Sequence, residues 1–487
     1  MTTPQACTLA GAGAARQGRA PGRRRGGAAA ALALALALGG CSMIPAYQRP
    51  APPVADEWPA GLRSAGPEQG PAAADIAWQS YFGDPRLREL IGLALANNRD
   101  LRVAVLNIEQ ARAQYQIRRA DQLPTLNAAA SGQRTPTANG GTASSYSVGL
   151  AVSAWEIDFF GRIASLQEVA LAQYLATEEG RKAAQISLVA AVAANWLAMA
   201  ADEELLAITR QTLATREESV RLTRLRFDNG AASELDFRQA ESLAEAARVS
   251  LAQLQRQRTL DENSLRLLVG QALPPGTLPG ADSRLSALAP LADVPAGLPS
   301  DLLIRRPDIR AAEQQLIAAN ASIGAARAAF FPRISLTAGL GTASNHLSGL
   351  FSGGSWGFTL APQAVLPLFD AGRNQAGLAS AQVGRQIAVA QYEKSIQTAF
   401  REVADALAGR ATLGEQLRAQ QAQAQAETVR FRLSDLRYRN GVSSYLDLLD
   451  AQRALFTAQQ AEVQTRLALL QNQVALYKVL GGGFSAP

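Results

Sequence analysis

The sequence is poor in the side chains on which most enzyme and metal sites depend. Its 487 residues include one histidine, His346, and two cysteines, Cys7 and Cys41. This composition excludes a zinc site built from cysteine and histidine, a histidine-based catalytic triad and a disulfide framework. No phosphate-binding loop or other cleft motif is present either. We therefore expect a protein that is not an enzyme and that holds no cofactor and no metal.

The excess of positive charge is confined to the N-terminus. The formal net charge is +6, but five arginines lie between positions 16 and 25, and the first 40 residues contain no acidic side chain. About one positive charge therefore remains for residues 41–487, which leaves no basic domain that could bind a phosphate backbone. We expect no nucleic-acid partner.

The same N-terminal region predicts an export signal and a lipid anchor. The arginines precede an apolar run, Ala28–Leu38, which has the length of a signal-peptide core and is too short to span a bilayer. The run leads into Gly39-Gly40-Cys41, which resembles a bacterial lipobox. Residues 1–40 would be the signal peptide, and acyl chains on Cys41 would anchor the mature chain. Ser42, where aspartate favours inner-membrane retention in many Gram-negative bacteria, is consistent with sorting to the outer membrane.

Proline is absent from two long stretches, which indicates unusually long helices. None lies between Pro136 and Pro274, or between Pro367 and Pro487. An Asn-Gly pair, suited to a left-handed turn, interrupts each stretch. The predicted helices are Gly161–Asp228, Ser233–Val269, Gly372–Arg439 and Ser444–Leu480. The first and third would each be roughly 100 Å long at 1.5 Å per residue.

The chain contains the same arrangement twice. Leu225–Asp236 matches Leu436–Asp447, and Arg99–Ala104 matches Pro307–Ala312, at separations of about 210 residues. Each repeat would comprise a medium helix, a hairpin, a very long helix, an Asn-Gly turn and a second medium helix. The predicted segments are a lipid-anchored extended N-terminal part at 41–80, a first repeat at 84–270, a linker at 271–300, a second repeat at 301–480 and a tail at 481–487.

Four segments between the helices alternate apolar residues with small or polar ones. They begin near Leu126, Tyr146, Ile334 and Trp356. Such strands suit a transmembrane β-barrel with a wet interior, although soluble hairpins share the pattern. Segments 132–144 and 341–355 would be external loops. Because four strands cannot close a barrel and an open edge in hydrocarbon is costly, a membrane sheet would require several copies of the chain.

A family resemblance rests on the lipobox and on four further motifs. These are Pro45–Pro50, Arg306–Glu313, Leu436–Gly441 and Tyr445–Gln452. Together they resemble the TolC-like outer-membrane factors, specifically the OprM/NodT lipoprotein branch, over essentially all of the mature chain. The resemblance implies a mainly α protein with a membrane β-barrel portion. It would be a homotrimer with a 12-stranded β-barrel, four strands per subunit, continued by a 12-helix periplasmic α-barrel. Residues 42–80, 271–300 and the C-terminus would form a belt around it.

The resemblance also implies function and partners. The protein would be the outer-membrane exit duct of a tripartite efflux pump, passively conducting drugs or other small molecules from periplasm to exterior. It would be anchored in outer-membrane lipid and extend into the periplasm. Its partners would be a periplasmic adaptor and an inner-membrane transporter of the RND type. The residues do not identify the transported compound.

The turns after the long helices are the predicted gate. Ser-x-x-Asp capping occurs in both repeats, so we read Asp236 and Asp447 as mainly structural. Only the second repeat has Tyr438 and Asp450, and three Asp450 carboxylates near a trimer axis would repel one another. The residues assigned to a periplasmic gate opened by adaptor docking are Asp450, Leu446, Tyr438, Arg437 and Asp447.

The tips of the two helical hairpins are also the predicted docking surface for the adaptor. The residues assigned to it are Arg224, Leu225, Arg226, Asn229 and Gly230 in the first repeat, and Leu433, Ser434, Leu436, Arg437, Asn440 and Gly441 in the second. The Asn-Gly pairs could equally serve as turns alone, and the gate charges could be solvated residues on a coiled-coil flank. A duct for type I protein secretion, and a periplasmic coiled-coil lipoprotein without a pore, remain alternative functions.

Overall fold

A computed structural model describes residues 42–55, 57–58, 70–138, 140–280, 283–289, 291–297 and 299–484. The predicted signal peptide and Cys41 lie outside the described residues. The elements are α1 Trp78–Tyr81, α2 Pro85–Asn97, α3 Arg99–Ala120, β1 Leu126–Pro136, β2 Thr142–Glu156, α4 Arg162–Asp228, α5 Glu234–Val269, α6 Pro299–Arg305, α7 Pro307–Ala328, β3 Arg333–Ser344, β4 Trp356–Val365, α8 Arg373–Arg439 and α9 Tyr445–Val479. They fall into two compact units, a sheet unit that includes Pro124–Ala164 and Ala328–Leu368 and a helical unit with most of the remaining residues.

The four long helices are confirmed to within one residue at each end. Helices α4 and α8 have 67 residues each. The predicted first residues Gly161 and Gly372 instead precede the helices with positive φ angles of 70° and 86°. One 18-residue window of α4 is apolar enough to cross a membrane, yet half of it is buried inside the protein, which is typical of a core helix.

In each repeat, one side chain joins the ends of the two medium helices. The Asn98 side chain accepts a hydrogen bond from the Leu101 N–H (2.9 Å), which caps α3, and donates to the Leu268 carbonyl at the end of α5 (2.8 Å). Arg306 lies immediately before α7 and donates to the Val479 carbonyl at the end of α9 (3.2 Å). A single side chain therefore holds two helix ends together in each repeat.

The core of the helical unit gathers the segments that connect the helices. Trp58 stacks on Phe400 of α8 with ring centroids 4.6 Å apart, and Tyr81 stacks on Tyr477 of α9 at 3.9 Å. Val294, from the linker between the repeats, is buried in the same core. Aromatic burial of this kind contributes strongly to stability. The segments expected to form a belt thus pack on the long helices.

The four strands form one antiparallel sheet in the order β1-β2-β3-β4. Its register aligns Ala128, Leu150, Leu340 and Phe358 in one row across the sheet, and Asn127, Ala151, Gly339 and Thr359 in the next. Side chains paired across antiparallel strands share a face. The predicted separation into an apolar face and a small or polar face is therefore confirmed.

The predicted external loops are too long. Strand β1 continues to Pro136 and β2 begins at Thr142, so most of segment 132–144 is strand, and β3 continues to Ser344. Gly132 pairs with Tyr146 in the ladder although it breaks the apolar alternation. Backbone hydrogen bonds between strands do not require apolar side chains, which is why alternation alone underestimates strand length.

Two neighbouring carboxyl groups, the buried Asp202 of α4 and the partly buried Asp261 of α5, interact in the helical unit. Asp202 is 7% exposed, and burial raises the pKa of Asp202 to about 7, together with a hydrogen bond that protonated Asp202 donates to Asp261 and repulsion between the two carboxylates. The neighbouring Glu203 is paired with Arg258 of α5 at 2.6 Å. The folded chain thus binds a proton at Asp202 more tightly than the unfolded chain, whose aspartate pKa is 3.8.

This proton predicts a pH-dependent stability. Because the pKa is raised on folding, the stabilisation is complete below about pH 3.8, decreases as the pH rises to about 7 and is lost above that. We expect the advantage in unfolding temperature of Asp202→Asn over the parent to be larger at pH 8 than at pH 5, measured by circular dichroism. The control is Asp405→Asn, whose side chain is 70% exposed. If the unfolding temperatures of the parent and of Asp202→Asn depended equally on pH, the proton bound by Asp202 in the folded chain would be contradicted.

Candidate functional site

Both long helices end in the same hydrogen-bonded turn. The Asn229 side chain donates to the Leu225 carbonyl at 2.7 Å, and Gly230 adopts a φ of 73°. In the second repeat the Asn440 side chain donates to the Leu436 carbonyl, also at 2.7 Å, and Gly441 has a φ of 69°. A left-handed residue after the last turn terminates a helix and favours glycine. The Asn-Gly pairs therefore have a structural role, and their role in docking stays a prediction.

The helices that follow both turns begin with a capping box. The Ser233 hydroxyl accepts the Asp236 N–H at 3.1 Å, and the Asp236 carboxylate accepts the Ser233 N–H. Ser444 and Asp447 make the same reciprocal bonds before α9. The predicted capping role of Asp236 and Asp447 is confirmed. It fixes the direction in which α5 and α9 leave the turns.

A small apolar cluster lies beside the turns and joins the two hairpins. Tyr445 of α9 is buried with Ala240 and Leu243 of α5, and burial raises the pKa of Tyr445 to about 12. Tyr438 of α8 packs on this cluster, and the Arg226 guanidinium of α4 lies 4.7 Å from the centre of its ring. One predicted gate residue and one predicted docking residue are therefore in direct contact, through a cation–π interaction.

The first repeat uses different contacts at the corresponding place. Phe227 stacks on Phe237 with ring centroids 6.1 Å apart, and the guanidinium groups of Arg224 and Arg238 lie 5.1 and 5.3 Å from the Phe237 ring. Arg224 also pairs with Asp228 at 3.1 Å. The predicted docking residue Arg224 is thus held by its own hairpin, while more than half of its side chain stays exposed.

Asp450 has a partner that the sequence did not reveal. Its carboxylate pairs with Arg430 of α8, which also contacts Glu427 at 3.2 Å. The aligned positions of the first repeat are Ser219 and Gln239, so the ion pair occurs only in the second. Arg430 precedes Asp450 by 20 residues on the opposite side of the turn, so finding the pair requires the register of α8 against α9.

The remaining predicted residues are mostly exposed. Leu225, Leu436, Leu446 and Leu433 are 61%, 58%, 58% and 50% exposed, and Ser434 is partly buried. Arg437 is exposed, and its side chain has neither a hydrogen bond nor an ion pair within the described ranges. The predicted docking and gate positions thus leave four large apolar side chains exposed, and their role in docking stays a prediction.

The family of the chain follows from comparison with known proteins. A family model described as outer membrane efflux protein matches residues 90–271 and 298–482. These two segments correspond to the two repeats and cover more than half of the chain. The chain therefore belongs to the outer membrane efflux protein family. It is a transport protein of the outer membrane that conducts efflux and catalyses no reaction.

Named relatives and solved structures agree with this family. The chain is 50% identical over 458 residues to the probable efflux pump outer membrane protein TtgC of Pseudomonas putida, covering 92% of this chain and 94% of TtgC. It is 47% identical over 469 residues to outer membrane protein OprJ of Pseudomonas aeruginosa, covering 93% and 95%. A crystal structure of a membrane protein from Pseudomonas aeruginosa is similar at 45% identity and a TM-score of 0.83, covering 91% and 100%. The open state of the Neisseria gonorrhoeae MtrE outer membrane channel is similar at 42% identity and a TM-score of 0.83, covering 91% and 99%.

Proposed function

We propose that three copies of the chain assemble into one duct, the exit of a tripartite efflux pump. The observation that carries this proposal is the open sheet: within the described residues, β1 and β4 are edge strands without a further partner. One face of the sheet is apolar and exposed, with Phe358 82% and Leu360 63% exposed. Open edges are not stable in hydrocarbon, so neighbouring copies must supply the missing strands. Three copies give the twelve-stranded barrel that the resemblance implies.

The second face of the sheet suits the interior of such a barrel. It carries small and polar side chains, and Ser131 and Ser147 hydrogen-bond each other across β1 and β2 at 2.7 Å. A wet interior of this kind conducts small molecules passively, while the inner-membrane transporter, which we propose to be of the RND type, selects the cargo. The lipid anchor at Cys41 would hold each chain in the outer membrane.

Substitutions on the two faces test the barrel. We expect Phe358→Arg to reduce the amount of folded oligomer in the outer membrane strongly, because arginine on the lipid face costs about 2–4 kcal/mol at mid-membrane depth. Thr359→Arg, at the next residue of the same strand but on the opposite face, should assemble normally. The heat-resistant oligomer is measured by gel electrophoresis of outer-membrane fractions. Equal loss in both variants would contradict the assignment of the faces.

A gate near the turns belongs to the same proposal. In the trimer, Asp450 and Leu446 would line the periplasmic constriction, with Arg437, Tyr438 and Asp447 beside them. The contacts that hold this region, Arg430 with Asp450 and Arg226 with Tyr438, involve partly exposed groups. Exposed pairs of this kind contribute only about 0.2–1 kcal/mol each, so docking of an adaptor can exchange them.

Docking of the adaptor at the hairpin tips is testable by cross-linking. Because Cys41 would carry lipid, a cysteine introduced at Ala231 or Val442 would be the only free thiol of the mature chain. Both positions are exposed. We expect both variants to form adducts with the adaptor through a short bifunctional reagent, and Asn263→Cys, an exposed position near the far end of α5, to form none. Absence of adducts from the tip positions in an active pump would count against docking there.

A further inference from the structure

A cavity of about 590 Å³ lies between α4 and α9 in the helical unit. Its apolar lining includes Phe431 of α8 and Leu455 and Phe456 of α9. Two arginines, Arg216 of α4 and Arg284 of the linker between the repeats, also line it. The volume and the mixture of aromatic walls with a few polar groups are typical of sites for small organic molecules.

Arg216 is a buried cation that pairs with no carboxylate among the described residues. The residue is 4% exposed, and one of its terminal nitrogens donates to the Leu243 carbonyl at 3.0 Å. The guanidinium lies 5.0 Å from the centre of the Phe456 ring, and its Nε has no hydrogen-bond partner in the described ranges. Burial, and repulsion by Arg453 of α9, lower the pKa of Arg216 to about 10. A charge buried in this way is costly unless an anion neutralises it.

Two acidic residues also line the cavity, and neither pairs with one of its arginines within the described part of the chain. Glu462 pairs with Arg466 at 2.8 Å, and Glu204 accepts the backbone N–H of Leu285 at 2.9 Å. Arg284 is exposed and forms no ion pair within the described part of the chain. Among the residues that the structure describes, the two arginines of the cavity thus have no carboxylate partner, and the cavity also has an aromatic wall.

We propose that this cavity binds an organic anion. Its carboxylate would lie on Arg216 and Arg284, and its apolar or aromatic body would contact Phe431, Leu455 and Phe456. Charge-assisted hydrogen bonds to two guanidinium groups would fix the carboxylate. Because α4 belongs to the first hairpin and α9 to the second, a bound anion would hold the two hairpins together.

The proposal is tested with 4-(trifluoromethyl)benzoate as the probe, by fluorine NMR on the purified full-length protein in lipid nanodiscs. We expect saturable binding to the parent and to Arg221→Met, an exposed arginine of α4 that pairs with Glu218. Arg216→Met, which keeps an apolar side chain of similar length, should weaken binding about tenfold or more. Arg284→Gln, at an exposed position where folding is not at risk, should weaken it by a smaller factor. The neutral analogue 4-(trifluoromethyl)benzyl alcohol should bind the parent much more weakly.

Four results would overturn the proposal, the first three of which concern the probe, the variants and the alcohol. These are the absence of saturable binding to the parent, undiminished binding to both Arg216→Met and Arg284→Gln, and equal binding of the neutral alcohol. Displacement of the probe by equimolar inorganic phosphate would also overturn it, because the site would then recognise charge without an organic body. The measurement does not depend on pump activity, so failure of the proposed duct function would leave its result interpretable.

Discussion

Asp450→Ala should increase the conductance of the channel in planar lipid bilayers several-fold and lower its preference for cations. The variant removes the ion pair that ties α9 to Arg430 of α8, and it removes three carboxylates from the proposed constriction. The first change loosens the hairpin next to the turn. The second removes the negative charge that concentrates cations in the pore.

Arg430→Ala separates these two effects. It breaks the same ion pair but leaves the carboxylate of Asp450 in place. We therefore expect a conductance increase similar to that of Asp450→Ala, with cation preference retained or strengthened. Reversal potentials across a salt gradient measure the preference in both variants.

The internal duplication supplies the matched control for the gate. Gln239 occupies the position in the first repeat that aligns with Asp450 and carries no charge. Gln239→Ala should leave conductance and selectivity unchanged if the gate belongs to the second repeat. Unchanged conductance in Asp450→Ala, or equal increases in Asp450→Ala and Gln239→Ala, would show that the gate is elsewhere.

Local signals in the sequence predicted most of the helical structure. The proline-free stretches and the two Asn-Gly pairs located helices α4, α5, α8 and α9 to within one residue, because glycine at positive φ is required where each long helix ends. The alternation around Leu150, Leu340 and Phe358 located the two faces of the sheet. This was possible because successive side chains of a strand point to opposite faces, whichever strand it pairs with.

Features that depend on the packing of several helices could not be predicted in this way. The pairing of Asp450 with Arg430 requires the register of α8 against α9, which apolar spacing does not specify to one residue. The cavity around Arg216 requires three helices and a linker to meet, and no local motif marks a buried arginine without a partner. The comparison of the two repeats did identify Asp450 as unusual, since only one repeat carries it.

Gly270→Ala should destabilise the folded protein much more than Gly230→Ala, although both residues have left-handed backbones. Gly270 ends α5 with a φ of 76°, and Gly230 ends α4 with a φ of 73°. Alanine at either position would incur the strain of that conformation, about 1–2 kcal/mol. The difference lies in the surroundings of the added methyl group.

A methyl group at Gly270 would lie 2.4 Å from the Asn97 carbonyl oxygen, whereas at Gly230 it would have no atom within 4 Å. The collision involves backbone at the junction where Asn98 joins α3 to α5, so no side-chain rotation can relieve it. We expect an additional loss of about 1–3 kcal/mol for Gly270→Ala, the range typical of overpacked sites. Since large oligomeric membrane proteins unfold irreversibly, the half-life of the folded oligomer at a fixed elevated temperature is the appropriate measurement. Equal half-lives for the two variants would mean that backbone strain alone determines the effect and that the junction tolerates movement of Asn97.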